Sequence, residues 1–400
     1  MFSISFRTAL FAALVSLISL SGCAVFEPVG GFFAQGYRNT VTYFNAYYNA
    51  QRLFRSAEEE IRAADRQRLR GVPSSAPAPQ GPARTIPAPA RQKLTAVIDK
   101  CSNILAFHGS SDYVDDALYL VARSYFLLGE YVKSERKCAE LLAQYPASEL
   151  TVPARVWLGR ALLEQSRVKE SEEVLMEGLA IASVREDEET QAMALESLSA
   201  LHRKKGDVGS ALRYASQLRS LAPDNESVAA AMLEEARLLL EEERAEQALE
   251  PLSSVAQVTD DPFVQFEAGM LKVDALRQLD RLEDALGSLQ AMEQDFRFRD
   301  RLGEVQLERA RLLEETGRLE EAIAAYTTAD TSFVRTPTGA SAAFELGSLY
   351  EARRGDYALA LKQYERSAAL GTFPITIQAR RRASLFSRYF QLQSRLLLAD

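Results

Sequence analysis

The chain has 400 residues, 47% hydrophobic and 26% charged, which excludes collagen-like, wholly disordered and polytopic membrane classes. Lysine and arginine number 47 against 55 acidic residues, a net charge of −8, so the counterion-releasing surface that drives nucleic-acid binding is missing. With 2 His, 3 Cys and 1 Trp there is little material for metal sites, thiol chemistry or imidazole catalysis, and neither metal nor cofactor is expected.

Residues 1–22 carry a single charge, Arg7, followed by an apolar or small run from Thr8 to Leu20. A bilayer-spanning helix needs about 20 apolar residues, so this run reads as the h-region of a secretory signal. It ends in Leu20-Ser21-Gly22-Cys23, which resembles the lipobox of bacterial lipoproteins. The resemblance implies that residues 1–22 are removed and that Cys23 becomes an acylated N-terminus. Several acyl chains, at about 0.8 kcal/mol per buried CH₂, anchor stably where one does not. Ala24 in place of Asp implies, by the sorting rule of enterobacterial lipoproteins, the periplasmic face of the outer membrane. The plainer alternative is a cleaved signal with a chance cysteine.

Residues 23–36 read as a lipid tether and 37–70 as an amphipathic helix, with Val41, Phe44, Tyr48, Leu53, Phe54, Ala57 and Ile61 recurring at three- and four-residue steps. Residues 71–90 hold Pro73, Pro77, Pro79, Pro82, Pro87 and Pro89, six of the 14 prolines. That stretch reads as a semi-extended linker.

Beyond it the sequence repeats. Residues 115–146 resemble a tetratricopeptide repeat, with Leu118, Ala122 and Tyr125 on a first helix, Gly129 at the turn, Ser134 and Cys138 on a second helix, and Pro146 closing it. The small residue of the second helix recurs as Ser134, Ser171, Ala211, Ala248, Ala285, Ala322 and Ala360, at steps of 37, 40, 37, 37, 37 and 38. A small position on the first helix runs in parallel: Ala122, Gly159, Ser199, Ala236, Val273, Ala310 and Gly347. The consensus repeat is about 34 residues, so roughly three extra residues per unit are expected between repeats. Gly206, Gly317 and Gly355 suit left-handed helix ends, Asp261-Pro262 suits a helix start, and Pro251 should kink its helix. Residues 355–364 also resemble a Sel1-type variant. The fold expected is all-α, a tetratricopeptide-like solenoid of about seven to eight helical hairpins in a right-handed superhelix.

Residues 91–111 are in register with a second helix, since Val97 and Cys101 lie 37 before Ser134 and Cys138. The helix within 37–70 is expected to supply the missing first half of this split repeat. Residues 112–372 form the array and 373–400 a C-terminal capping helix.

Candidate chemistry is sparse. Cys101 and Cys138 could bridge in an oxidising periplasm. Yet equivalent helices sit about 8–10 Å apart, beyond the roughly 7 Å Cα limit, which favours two buried core thiols. His202 falls in an apolar row and His108 at a helix end. No catalytic or metal-binding motif is found. A groove on the first helices would be lined by Tyr119, Val156, Glu196, Leu233, Met270, Leu307 and Phe344, with Arg123, Arg160, Arg237 and Arg311 four residues further on. Such an arginine ladder could hold an acidic or C-terminal peptide; alternatively the arginines pair with neighbouring glutamates. The terminal helix bears Arg380, Arg381, Arg382, Arg388 and Arg395 beside Leu385, Phe386 and Phe390, as a cap or as a dock for a partner or anionic surface.

The reading that follows is a non-enzymatic scaffold lipoprotein for protein or peptide partners in envelope assembly, secretion or motility, with a lipid anchor and no nucleic acid. The aromatic stretch Tyr43-Phe44-Asn45-Ala46-Tyr47-Tyr48-Asn49-Ala50 resembles the start of tetratricopeptide lipoproteins of gliding motility and type IX secretion. Residues 113–148 also resemble the lipoprotein of the β-barrel assembly machinery. A reading of another class is a peptidoglycan-acting enzyme or its regulator, for which residues past 91 leave no catalytic module.

Overall fold

Each predicted segment pairs a period of three to four apolar positions with a polar face, so a lone helix cannot bury its stripe and must pack on a neighbour. A computed structural model describes residues 46–70, 86–109, 111–222, 224–371 and 373–397. The signal segment, Cys23, the tether, Tyr43 to Asn45 and residues 71–85 of the linker lie outside the described residues.

Seventeen α-helices and no strand occur among the described residues. The described residues form two units, one of residues 46–69 and 86–201, the other of residues from 202 onward together with Arg70. In the first, α1 (Tyr48–Arg70) and α2 (Ala88–Phe107) precede the hairpins α3 (Val114–Leu127) with α4 (Tyr131–Gln144) and α5 (Thr151–Glu164) with α6 (Val168–Val184), then the start of α7 (Glu188–Lys205). Ala50, Phe54, Ala57 and Ile61 of α1 share one core with Leu94, Val97, Cys101 and Ile104 of α2. Lys93 Nζ adds a 2.7 Å hydrogen bond to Ser56 Oγ. The helix expected from residue 91 begins at Ala88, because Pro87 caps it and Pro89 occupies its first turn, where the missing N–H has no intrahelical partner to lose.

In the second unit, α8 (Val208–Leu221) is followed by α9 (Asn225–Glu241) with α10 (Ala245–Val258), α11 (Pro262–Gln278) with α12 (Leu282–Gln294), α13 (Leu302–Glu315) with α14 (Leu319–Ser332), α15 (Pro337–Leu349) with α16 (Tyr357–Ala369), and α17 (Pro374–Leu397). From α8 on, each helix packs on its chain neighbours, and α9 touches α11, α13 touches α15, and α15 touches α17. This is the nearest-neighbour stacking of a repeat array.

The small-residue rows explain the spacing. All seven second-helix positions, Ser134 to Ala360, are 0% exposed. Ser171 Oγ donates to the Gly159 carbonyl at 2.7 Å, joining the two rows across one hairpin. Cys101 and Cys138 are also 0% exposed and free; burial pushes both thiols up to about 12, which keeps them protonated and inert.

The hairpin turns repeat with the same period. Gly129, Ser166, Gly206, Glu243, Asp280, Gly317 and Gly355 all have left-handed φ between 56° and 79°. In the six turns up to Gly317 the next residue's N–H reaches back five residues, to the carbonyls of Tyr125, Leu162, His202, Leu239, Leu276 and Leu313, the bond of a Schellman cap. The seventh turn contains a π-helical segment, Tyr350–Arg354, and Asp356 N–H reaches back six residues to Tyr350 at 3.0 Å. One inserted residue thus gives the 38-residue step. The 40-residue step coincides with α6 of 17 residues, against 14 in α4.

Two expectations change. The extra residues expected between repeats do lie there at 145–150 and 295–301, whereas α9 and α11 absorb them as longer first helices of 17 residues. Helix α10 runs through Pro251 without a break, with the proline ring buried; Asp261 caps α11 ahead of Pro262, as expected.

Left-handed backbone costs an L-residue about 1–2 kcal/mol, partly offset by the unfolded-state entropy of glycine. Glu243→Gly should therefore raise, and Gly206→Ala lower, the stability of the second unit by about 1 kcal/mol each, read from urea midpoints at constant m.

Candidate protein-interaction surface

The first row assigned to an open groove is mostly core. Val156 is 0%, Leu233 6%, Met270 4% and Leu307 4% exposed, while Tyr119 and Phe344 are half-buried. In the second unit the cause is contact between first helices of successive repeats, which seals the face that helical spacing alone leaves open: Met270 and Leu307 lie in one cluster with Phe266, Val273 and Ala310. Tyr119 accepts a 3.1 Å hydrogen bond from Trp157 Nε1, and Phe344 lies against Tyr364 with centroids 5.3 Å apart.

The arginines four residues on are paired. In the first unit, Arg123 Nη2 lies 2.7 Å from Glu58 Oε1, with its guanidinium 4.5 Å from the Phe54 ring and 5.4 Å from Trp157. This contact fastens α1 to α3. Arg160 lies 3.5 Å from Glu196 and 4.7 Å from the Trp157 ring.

In the second unit, Arg237 lies 3.4 Å from Glu267. Arg311 grips Glu345 through both Nε, at 2.9 Å, and Nη2, at 2.5 Å, and Glu308 through Nη1 at 2.9 Å. Glu308 is 1% exposed and also faces Arg277 Nη1 at 2.9 Å, which in turn bonds Asp274. Burial alone would lower the Arg311 guanidinium; hydrogen bonds and charge from Glu345 and Glu308 instead hold it above its ordinary value. Asp274, by contrast, is raised by burial despite Arg277 beside it. The ladder is therefore a set of clamps between repeats, and reversing its arginines would break packing contacts as well as any peptide site.

His202 is buried, with Nδ1 3.1 Å from Asp207 Oδ2, and His108 is the C-cap of α2. Among the described residues no group of three or more His, Cys, Asp or Glu could hold a metal ion, and no helix is long and apolar enough to cross a membrane.

Helix α17 offers a different surface. Its inner face packs through Ala379 and Ala383, which are 0% and 8% exposed, and Phe386 stacks on Tyr364. Its outer face leaves Leu385 at 62%, Tyr389 at 46%, Leu392 at 51% and Leu396 at 70%. Tyr389, Leu392 and Leu396 were not singled out from sequence, although their steps of four, three and four from Leu385 were there to be found.

Residues 307–374 match the tetratricopeptide repeat family model. No curated protein matches the chain. Similar solved structures include a tetratricopeptide repeat protein from Parabacteroides merdae, 14% identical over 68% of this chain and 98% of that one, with TM-score 0.44. Another is PilF of Pseudomonas aeruginosa, 14% identical over 65% and 98%, with TM-score 0.39. The C-terminal part of a tetratricopeptide repeat-containing protein from Cytophaga hutchinsonii is 11% identical over 72% and 94%, with TM-score 0.42.

Removing one partner from a buried charge network costs about 3–5 kcal/mol. Glu308→Ala, which leaves Arg277 and Arg311 without their shared carboxylate, should destabilise the second unit by about 3 kcal/mol in urea unfolding. A change under about 0.5 kcal/mol would show that the network does not clamp the repeats.

Proposed function

We propose that this chain is a non-enzymatic scaffold that binds protein or peptide partners in the cell envelope, held at the periplasmic face of the outer membrane by lipid on Cys23. The observation that carries the scaffold reading is the succession of hairpins in repeat register, of which residues 307–374 match the tetratricopeptide family model. An array of this kind exposes long helical faces rather than a single enclosed pocket, which suits extended partners. The anchoring reading is supported by sequence: an apolar run of signal-peptide length ends directly in Leu20-Ser21-Gly22-Cys23.

The envelope machinery served is assembly, secretion or motility, and the partners captured by the lipidated chain identify which. In cells of a lipoprotein-processing bacterium given labelled palmitate, the chain should incorporate label and sediment with outer membranes. Cys23→Ala should abolish both. Label-free membrane retention of Cys23→Ala would contradict the lipid anchor while leaving the scaffold reading to the capture experiment.

A further inference from the structure

Helix α17 continues the array by contact. It packs on α16, with Ala383 joining Ala360 and Tyr364 in one cluster. α17 also touches α15 as α15 touches α13. It therefore stands where the first helix of a further unit would stand. In the preceding hairpins a first helix is covered by its own second helix: Gly347 lies so close to α16 that a Cβ there would sit 2.9 Å from the Tyr364 ring. Among the described residues no helix covers Leu385, Leu392 and Leu396, which form an exposed stripe on the outer face of α17; Tyr389, at the margin of that stripe, meets the Tyr357 ring of α16 with centroids 5.9 Å apart.

The charge beside that stripe points to what covers it. Residues 374–397 contain five arginines and no acidic residue. Arg382 pairs with Glu351 at 3.1 Å and Arg380 reaches the Gly371 carbonyl at 3.5 Å. Arg381, Arg388 and Arg395 recur every seven residues, so they form one rail along the edge of the stripe, and none of them forms an ion pair among the described residues. This contrasts with Arg123, Arg160, Arg237 and Arg311, each of which has its glutamate.

We infer that the outer face of α17 docks an acidic amphipathic helix of a partner protein, which covers the leucine stripe and sets carboxylates against the Arg381, Arg388 and Arg395 rail. A second copy of α17 does not fit, because it would bring two acid-free arginine helices together. Within residues 1–400, the segments outside the described residues carry only Glu27 and Asp400 as carboxylic side chains, too few to face three arginines. The inference rests on the scaffold reading only in that the bound molecule is a protein helix.

The test uses the chain from Ala24 onward, which keeps every described residue, and two labelled synthetic peptides of three heptads. Both carry leucine at the two core positions, one with glutamate and the other with lysine at the flanking positions. Fluorescence anisotropy should show the glutamate peptide binding at least about tenfold more tightly than the lysine peptide. The triple variant Arg381→Glu, Arg388→Glu, Arg395→Glu should reverse that preference, and Leu385→Gln with Leu392→Gln should abolish binding of both, with circular dichroism unchanged. Equal binding of the two peptides, no binding, or a preference that the triple variant leaves intact would overturn the inference. So would sedimentation of the chain with phosphatidylcholine–phosphatidylglycerol vesicles, lost in the same variants, in the absence of peptide binding. None of these outcomes alters partner capture by the rest of the array, so the scaffold reading stands or falls separately.

Discussion

The close approach of two helices within each hairpin is the constraint on which the rest of the structure depends. Where the first helix carries Gly159, a single added Cβ would lie 2.5 Å from Leu175, and the facing second-helix position, Ser171, is fully buried. Helices meet this closely only where both contribute small side chains, since interaxial distance follows the residues at the crossing. A small pair at the crossing lets larger side chains on either side, Leu162 and Leu175 in the first unit or Leu313 and Tyr326 in the second, complete the core. The left-handed turn then follows: two helices held this near must reverse direction within a few residues, and the Schellman cap does so while satisfying the carbonyls of the last turn.

Polar contacts act at the next level, between repeats. Glu308 sits between Arg277 and Arg311, and Arg311 reaches on to Glu345, so one chain of charges crosses α11, α13 and α15. Such a network contributes specificity of stacking more than bulk stability, because its members are desolvated by the packing they bridge. In the first unit Arg123 does the comparable task with help from aromatic rings, tying α1, which precedes the proline-rich segment, to α3.

Much of the array was legible in the sequence because crowding restricts residue type. Every second-helix position found by subtraction, from Ser134 to Ala360, is fully buried. The turns were only half legible: glycine marks Gly129, Gly206, Gly317 and Gly355, whereas Ser166, Glu243 and Asp280 adopt the same backbone and are visible only through the period. Helical spacing identifies a face but not what covers it: of the positions expected to line the groove, Val156, Leu233, Met270 and Leu307 are core, while Tyr119, Phe344 and the four arginines are half-buried. Met270 and Leu307 lie on the expected side of their helices yet form part of the core. Likewise nothing in residue type separates buried Glu308 from exposed Glu315 on the same helix, and Arg277 reaches both. The outer face of α17 shows the opposite case, a pattern present in the sequence whose meaning depends on knowing that no neighbour lies on it.

The central claim is that each hairpin is held by its own small-residue crossing and coupled only to its neighbours. Hydrogen exchange on the Ala285→Leu variant tests it most directly, since Ala285 is 0% exposed at the α11–α12 crossing. Protection should fall in α11 and α12 and, less, in α10 and α13, while α15 and α16 keep theirs, as expected for nearest-neighbour coupling. Unchanged protection in α11 and α12, or an equal loss from α8 to α17, would contradict it.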